Sequence, residues 1–173
     1  MTREPSSENL ASFSSDGRSI YFSSDRSGRR EIWRMPADGG PAVQVTRSGV
    51  SGAQESWDGQ YLYLRSADSP VVRRAPVGGR GEELAVLRLP SLGAWVLSES
   101  GIYYNSSQWL LRARRSESSV SFLDLESRRT LTLLKREGAY LPLGLAVSPD
   151  EQWILQSLAF QVQSELMLVE NFR

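Results

Sequence analysis

The sequence predicts an all-β fold, namely a partial β-propeller of about four antiparallel blades arranged as an open arc, three complete and the last with three strands. Three observations support this prediction: a turn motif recurs along the chain, short apolar strands separated by turns continue throughout, and no window shows the 3.6-residue period of a helix. A β-sandwich also has short strands, but it would not repeat its turn motif at a fixed interval.

The recurring turn contains an Asp-Gly pair that begins at Asp16 and again at Asp58, 42 residues later. Each pair precedes a strand rich in aromatic and aliphatic residues. A third copy at 99–101 lacks the aspartate, and a fourth copy at 148–151 follows after a longer interval. Aspartate can hydrogen-bond the nearby backbone and glycine can adopt positive φ, so both residues suit a tight turn between strands.

Four strands with their turns fill each repeat of about 40 residues, which is the pattern of a propeller blade. The predicted blades span about 10–47, 52–88, 93–135 and 143–173, after a polar N-terminal segment, 1–9. The longer third repeat predicts an insertion at about 106–116, interpreted either as a binding loop or as a tolerated surface excursion. Four tryptophans are predicted to pack between blades, namely Trp33, Trp57, Trp95 and Trp153.

The composition excludes several kinds of chemistry. Basic and acidic residues number 20 each, which argues against a surface for nucleic acid or anionic membranes. The chain has no cysteine and no histidine, so disulfides, thiolate chemistry and Ser-His-Asp arrangements are ruled out within it. The sequence therefore predicts a non-catalytic protein without a catalytic, cofactor or metal site.

The N-terminal residues 1–8 are polar and do not form a signal peptide. No apolar run approaches the roughly 18 residues that a membrane span needs. These features predict no membrane association, and they leave the compartment open: cytoplasmic as written, periplasmic if the chain follows a membrane anchor in a longer protein.

Residues 14–28 read Ser-Ser-Asp-Gly-Arg-Ser-Ile-Tyr-Phe-Ser-Ser-Asp-Arg-Ser-Gly and resemble the TolB-type, WD40-like propeller repeat. Further similar segments are 31–33, 38–40, 45–46, 75–79, 101–104 and 143–150. The segment 165–173 is similar to the C-terminal end of propellers in many acidobacterial proteins, where the propeller often follows a winged-helix DNA-binding domain of a transcriptional regulator. The resemblance implies that the chain is the C-terminal half of a longer propeller.

Three functional classes are compatible with this sequence. The favoured class is a non-catalytic module that binds a protein or a small molecule, as the sensory or scaffold part of a bacterial regulator or envelope protein. One alternative is the propeller portion of a prolyl-oligopeptidase-like hydrolase, which needs a Gly-x-Ser-x-Gly elbow elsewhere. The other is a gene remnant without independent function. An open arc exposes sheet edges, and two copies meeting as a homodimer would close the ring.

Propeller ligands usually meet the loops between second and third strands and the loops between blades. The candidate binding residues on these loops are Asp25, Arg26, Arg29, Asp68, Trp109, Arg112 and Tyr140. Three other aspartates, Asp16, Asp58 and Asp150, lie in equivalent turns of separate blades. We therefore predict that they form turns and do not act together as metal ligands or as paired acids.

Overall fold

The computed structural model describes residues 6–78, 83–90, 93–110, 115–137, 140–159 and 164–170. Side chains are described for residues 6–78, 83–90, 93–107, 117–137 and 144–157. The chain forms two compact units, Met1–Arg88 and Leu89–Arg173. Each unit is built from antiparallel sheets in which every strand pairs with the next strand along the chain.

The first unit contains two sheets of four strands, called blade 1 (β1–β4) and blade 2 (β5–β8). The strands of blade 1 are β1 (Glu8–Phe13), β2 (Ser19–Ser24), β3 (Glu31–Pro36) and β4 (Val43–Gln44). The strands of blade 2 are β5 (Val50–Glu55), β6 (Tyr61–Ser66), β7 (Val71–Pro76) and β8 (Leu84–Arg88).

The second unit contains blade 3 (β9–β12), with four strands, and blade 4 (β13–β15), with three. The strands of blade 3 are β9 (Trp95–Leu97), β10 (Gly101–Leu110), β11 (Arg115–Asp124) and β12 (Thr130–Glu137). Those of blade 4 are β13 (Tyr140–Val147), β14 (Trp153–Ala159) and β15 (Ser164–Glu170). The prediction of an all-β fold with propeller-like blades, the last of three strands, is confirmed; the open arc stays a prediction.

The recurring turn has the same hydrogen bonds in blades 1, 2 and 4. In blade 1 the Ser14 hydroxyl donates to Asp16 Oδ1 at 2.7 Å, and the same oxygen accepts the Arg18 amide at 3.0 Å. Gly17 has a φ of 69°, which glycine adopts without a steric penalty. The matching serine–aspartate distances are 2.6 Å at Asp58 and 2.5 Å at Asp150. The turn-forming role predicted for these aspartates is confirmed.

These hydrogen bonds also stabilise the ionised form of each aspartate. The serine hydroxyl is the largest influence and the backbone amide the next, and together they lower the pKa of Asp16, Asp58 and Asp150. Each carboxylate therefore accepts hydrogen bonds from the serine hydroxyl and from a backbone amide of its own turn, as expected of a turn residue.

Blade 2 packs on one face of blade 1 through a shared apolar core. The Ser12 hydroxyl of β1 donates to the Ala53 carbonyl of β5 at 2.9 Å, and this hydrogen bond marks the side of blade 1 that faces blade 2. The buried residues of this core are Tyr21, Ile32, Val50, Ala53, Leu62 and Leu64. Burial of these side chains is the main force that holds the two blades together.

Blade 4 packs on blade 3 in the second unit, around Tyr103, Val120 and Ile154. The Tyr103 ring lies against Phe122, with centroids 4.6 Å apart. Its hydroxyl donates to Glu151 Oε2 at 2.8 Å, and the Ser100 hydroxyl donates to the same oxygen at 2.6 Å. A buried carboxylate from blade 4 thus ties two polar groups of blade 3 to the core.

The predicted loop at 106–116 is wrong, because most of these residues extend two strands. β10 and β11 are ten residues each and pair from Gly101↔Asp124 to Leu110↔Arg115. Ser106 and Ser119 face each other across this ladder, with their hydroxyl oxygens 2.9 Å apart. The extra length of the third repeat predicted a loop, whereas these residues lengthen a hairpin in which hydroxyl pairs across neighbouring strands satisfy each other.

The packing role predicted for the tryptophans is wrong for Trp57, which is 68 % exposed in its turn. Trp95 is buried, and Trp33 and Trp153 are half-buried. One boundary also differs from the prediction, because blade 1 was predicted to begin at Leu10 and β1 begins at Glu8. Among the described residues, no helix is long and apolar enough to cross a membrane.

Candidate functional site

A cleft of about 590 Å³ lies between blade 1 and blade 2 of the first unit. It opens where β4 pairs with β3 over only two residues, because Gly39, Gly40 and Pro41 precede β4 and a proline cannot donate to a ladder. The residues that line the cleft are Tyr21, Arg34, Val43, Gln44, Val45, Thr46, Arg47, Ser48, Leu62, Leu64, Ala75, Pro76, Val77, Gly78 and Glu83.

The lining divides into an apolar inner part and a polar outer part. Leu62 and Leu64 are buried, and Val45 and Val77 pack against the same core. Arg34 and Arg47 are exposed on the solvent side. Neither guanidinium forms an ion pair with an acidic side chain in the described part of the chain. A pocket with an apolar interior and a few polar groups at its mouth is the usual form of a ligand site.

A buried carboxylate, Glu31, holds the loop that forms one wall of the cleft. Its Oε2 accepts the Thr46 hydroxyl at 2.6 Å, and its Oε1 accepts the Gly49 amide at 3.0 Å. The Arg29 guanidinium, on the same strand side, donates to Oε1 at 2.7 Å and also reaches the Arg47 carbonyl. The segment 46–49 is therefore fixed to β3 by the Glu31 carboxylate together with the Ile32 backbone, whose amide donates to the Thr46 hydroxyl at 2.9 Å.

Glu31 stays ionised although it is only 1 % exposed. Burial alone would raise the pKa of its carboxyl, but the hydrogen bonds from Thr46, Gly49 and Arg29 outweigh burial and lower it. The wall of the cleft thus depends on a negative charge that is saturated by donors and not available to a ligand.

Tyr21 forms part of the inner surface of the cleft, with its ring in the core between the blades. Burial and then a hydrogen bond to the Glu55 carboxylate raise the pKa of its hydroxyl to about 12, while Arg34 partly opposes the shift. The hydroxyl is therefore neutral at physiological pH and connects blade 1 to Glu55 at the end of β5.

This pKa gives a testable alkaline titration. The difference in tyrosinate absorbance between the wild type and Tyr21→Phe is expected to appear near pH 12, not near the ordinary value of 10. Because the pKa is raised on folding, the contribution of Tyr21 to stability is complete below pH 10 and is lost as the pH rises through about 12. A difference signal centred at pH 10 would contradict the buried Tyr21–Glu55 contact.

Three of the predicted binding residues make contacts within blade 1. Asp25 Oδ1 accepts the Ser7 amide at 2.9 Å. Arg26 bonds to Glu8 and lies over the rings of Phe22 and Trp33, at 5.3 Å and 4.9 Å from their centroids. Arg29 supports the cleft wall through Glu31, as described above. None of the three lines the cleft.

For three of the other four predicted residues, the structure describes the place in the fold but no side-chain contact, and the fourth, Arg112, lies outside the described residues. Asp68 is exposed in the turn between β6 and β7. Trp109 lies in β10 and Tyr140 begins β13, but their side chains are outside the described residues, as is Arg112 altogether. The structure therefore brings Asp25, Arg26 and Arg29 together on blade 1, and the binding role of all seven residues stays a prediction.

The sequence prediction missed the cleft, because its residues come from β2, β3, β4 and the loop after it, and blade 2. One signal was present in the sequence, because Glu31 is an acidic residue at the start of an apolar strand. Among the described residues, no group of three or more acidic side chains is placed to hold a metal ion.

Neither a protein-family model nor a curated protein sequence matches the chain. Solved structures do. TolB from Acinetobacter baumannii superposes with a TM-score of 0.70 at 20 % identity, covering 93 % of this chain and 40 % of that one. The fold is therefore that of β-propeller blades, similar to those of TolB. A putative TolB from Agrobacterium tumefaciens gives a TM-score of 0.69 at 18 % identity, covering 96 % of this chain and 59 % of that one.

A chain of the nidogen–laminin complex is also similar, with a TM-score of 0.68 and 12 % identity. That match covers 94 % of this chain and 64 % of the other. This chain therefore spans between 40 % and 64 % of the length of these three structures. At such identities the likeness concerns the fold, since propellers of one architecture host many unrelated functions.

Proposed function

We propose that this chain is a non-catalytic binding module whose ligand site is the cleft between blades 1 and 2. The observation that carries the proposal is the combination of an apolar interior with two guanidiniums that have no acidic partner in the described residues. The absence of cysteine and histidine from the sequence supports a binding role over nucleophilic catalysis.

The lining holds two guanidiniums, Arg34 and Arg47, against one carboxylate, Glu83, and this excess of positive charge favours a ligand with a negative group on a short apolar body. Arg34 and Arg47 are donors with a planar geometry that suits a carboxylate. Val45, Val77 and the buried leucines offer the apolar surface against which a branched aliphatic group can pack. A carboxylate-ended peptide or an aliphatic carboxylic acid fits this description.

N-acetyl-leucine is a suitable probe, and N-acetyl-leucinamide is its uncharged match. In an amide-detected NMR titration, the acid is expected to shift resonances of residues 46–48 and 77–78 with a Kd of roughly 1 mM, as a ligand of this size allows. The amide is expected to bind at least about tenfold more weakly, because it lacks the charge that the guanidiniums recognise.

Two substitutions test the site against a matched control. Arg34→Ala and Arg47→Ala are each expected to weaken N-acetyl-leucine binding about tenfold, while Arg88→Ala, an exposed arginine of β8 that does not line the cleft, leaves it unchanged. Shifts scattered over the surface, or equal binding of acid and amide, would show that the cleft is not a carboxylate site.

The proposal extends to the setting of the module. The resemblance of its repeats to propellers of acidobacterial regulators supports a place in the sensory or scaffold part of a longer bacterial protein. The charge balance, with 20 basic and 20 acidic residues, supports a protein or small-molecule partner over a nucleic acid. Further blades and a winged helix encoded upstream are expected; unrelated upstream sequence would contradict this setting.

A further inference from the structure

The described lining of the cleft contains one acidic residue, Glu83. Glu83 precedes β8, whose first residue, Leu84, pairs with Arg74 of β7. Successive residues of a strand point to opposite faces, so Glu83 lies on the same face as Ala75, the residue after Arg74. Ala75 pairs with Leu62, which belongs to the core shared with blade 1. The Glu83 side chain is therefore on the cleft side of blade 2.

The other wall of the cleft carries its positive charges. Arg34 pairs with Tyr21 between β3 and β2, and both residues line the cleft from blade 1. Arg47 lies in the segment 46–49, which Glu31 holds against β3. The guanidiniums of the cleft thus belong to blade 1, and its carboxylate belongs to blade 2.

These opposite charges line one cleft without neutralising each other. Glu83, Arg34 and Arg47 are all exposed, and their side chains form no ion pair in the described part of the chain. An ion pair needs the charged atoms within about 4 Å, so the Glu83 carboxylate lies farther than that from both guanidiniums. Apart from Glu83, the described lining from blade 2 is apolar. A ligand that spans the cleft therefore meets positive charge on one wall and one negative charge on the other.

We propose that the ligand of this cleft is a zwitterion, with an ammonium group that Glu83 binds and a carboxylate that Arg34 and Arg47 bind. The inference rests on the proposed carboxylate site and adds a second charge to its ligand. A free aliphatic amino acid carries both groups on a short apolar body, as does a short peptide with free ends. The cleft volume of about 590 Å³ is in the usual range for small-molecule sites and accommodates either ligand.

The effect of Glu83 is expected to be modest in size and specific for the charge of the ligand. Water and salt weaken an ion pair at an exposed carboxylate, so the ammonium group is expected to tighten binding roughly threefold. A carboxylate ligand without an ammonium group gains nothing from Glu83 and is weakly repelled by it. Glu83 is therefore expected to discriminate between leucine and isocaproate, which is leucine without its amino group.

An amide-detected NMR titration of the whole chain with these two ligands tests the proposal. The wild type is expected to bind leucine roughly threefold more tightly than isocaproate, and leucine is expected to shift the resonances of 83–84 in addition to those of 46–48. In Glu83→Gln the advantage of leucine is expected to disappear. Isocaproate is expected to bind this variant as tightly as the wild type, or up to about twofold more tightly.

Glu126→Gln is the matched control for Glu83→Gln. Glu126 is an exposed acid between β11 and β12 of blade 3, outside the lining of the cleft, and the substitution is the same. This variant is expected to keep the advantage of leucine. Both glutamates are exposed, so both variants are expected to keep the dispersed amide spectrum of the wild type.

Leucyl-leucine and N-acetyl-leucyl-leucine distinguish the two sources of the zwitterion. If the free amine tightens binding more in leucyl-leucine than in leucine, the ligand is a short peptide; the opposite order assigns a free amino acid. In both cases the gain from the free amine is expected to be lost in Glu83→Gln, because the same carboxylate binds the ammonium group.

Equal binding of leucine and isocaproate by the wild type would overturn the zwitterion proposal, and so would an advantage of leucine that persists in Glu83→Gln. Equal weakening of both ligands in Glu83→Gln would overturn it too, since Glu83 would then only support the shape of the cleft. These results leave the carboxylate site intact if isocaproate and N-acetyl-leucine still shift the resonances of 46–48. If neither acid binds there, the carboxylate site fails, and the zwitterion proposal fails with it.

Discussion

Gly101→Ala is expected to lower the free energy of unfolding by about 3 kcal/mol or more, although it adds a single methyl group. A Cβ on Gly101 would lie 2.2 Å from the Leu123 carbonyl oxygen and 2.5 Å from the Phe122 ring. Neither neighbour can move away easily. The Leu123 carbonyl belongs to the backbone of the paired strand β11, and the Phe122 ring packs on the Tyr103 ring with centroids 4.6 Å apart.

The damage is expected to reach the contact between blades 3 and 4. A displaced Phe122 presses on Tyr103, whose hydroxyl donates to Glu151 of blade 4. Urea denaturation followed by tryptophan fluorescence measures the loss, and near-ultraviolet circular dichroism reports the packing of Tyr103.

Gly52→Ala is the matched control for this prediction. Gly52 also lies in a strand without positive φ, but its nearest neighbour for a Cβ is a Leu10 methyl at 3.8 Å, an ordinary contact. Alanine there is expected to be neutral or to stabilise by up to about 1 kcal/mol, because it restricts the unfolded chain. Equal effects of the two substitutions would show that glycine is not required at 101 for space.

The turns of this protein were predictable because their physics is local. Serine, aspartate and glycine within four residues supply a donor, an acceptor and a positive φ, and Ser14, Asp16 and Gly17 use all three. The repeat of this turn then predicted four blades, the last of them with three strands.

The long hairpin of blade 3 was not predictable in this way. Its strands continue through Ser106, Ser107 and Gln108, which lack the apolar alternation by which strands are recognised. Their stability comes from cross-strand partners such as Ser119, thirteen residues away, and from the ladder itself. The longer third repeat therefore predicted a loop where cross-strand pairing produced two longer strands.

The contacts of a loop residue could not be predicted from its position in the repeat. Arg26 was selected because it follows a strand end, yet its guanidinium covers Phe22 and Trp33 and pairs with Glu8. A guanidinium over two rings gains both cation–π attraction and apolar cover for its stem. The cleft, by contrast, depends on which faces of two sheets meet, and the spacing of residues within one repeat does not contain that information.

Removing the Glu31 carboxylate is the second change for which we expect a large effect. Glu31→Ala leaves the buried Thr46 hydroxyl and the Gly49 amide without their acceptor, and the free energy of unfolding is expected to fall by about 3 kcal/mol. The Arg29 partner contributes little to this loss, because its side chain is 60 % exposed and its ion pair is screened by solvent.

The pH dependence distinguishes the charge from the shape of this side chain. The pKa of Glu31 is lowered on folding, so its stabilisation is complete above the ordinary carboxyl value of 4.5 and is lost as the pH falls through the lower folded value. Glu31→Gln keeps the shape without the charge. Its deficit relative to the wild type, about 2 kcal/mol at pH 7, is therefore expected to shrink steadily below pH 4.5.

Asp68→Ala is the control for the Glu31 variants, because Asp68 is an exposed acid of the same unit. It is expected to change the free energy of unfolding by less than about 0.5 kcal/mol, both at pH 7 and below pH 4.5. Glu31→Gln should in addition broaden the amide resonances of 46–49 and weaken N-acetyl-leucine binding, since the wall of the cleft is fixed through this carboxylate. A Glu31→Gln deficit that is constant with pH would mean that the carboxylate charge does not hold the wall.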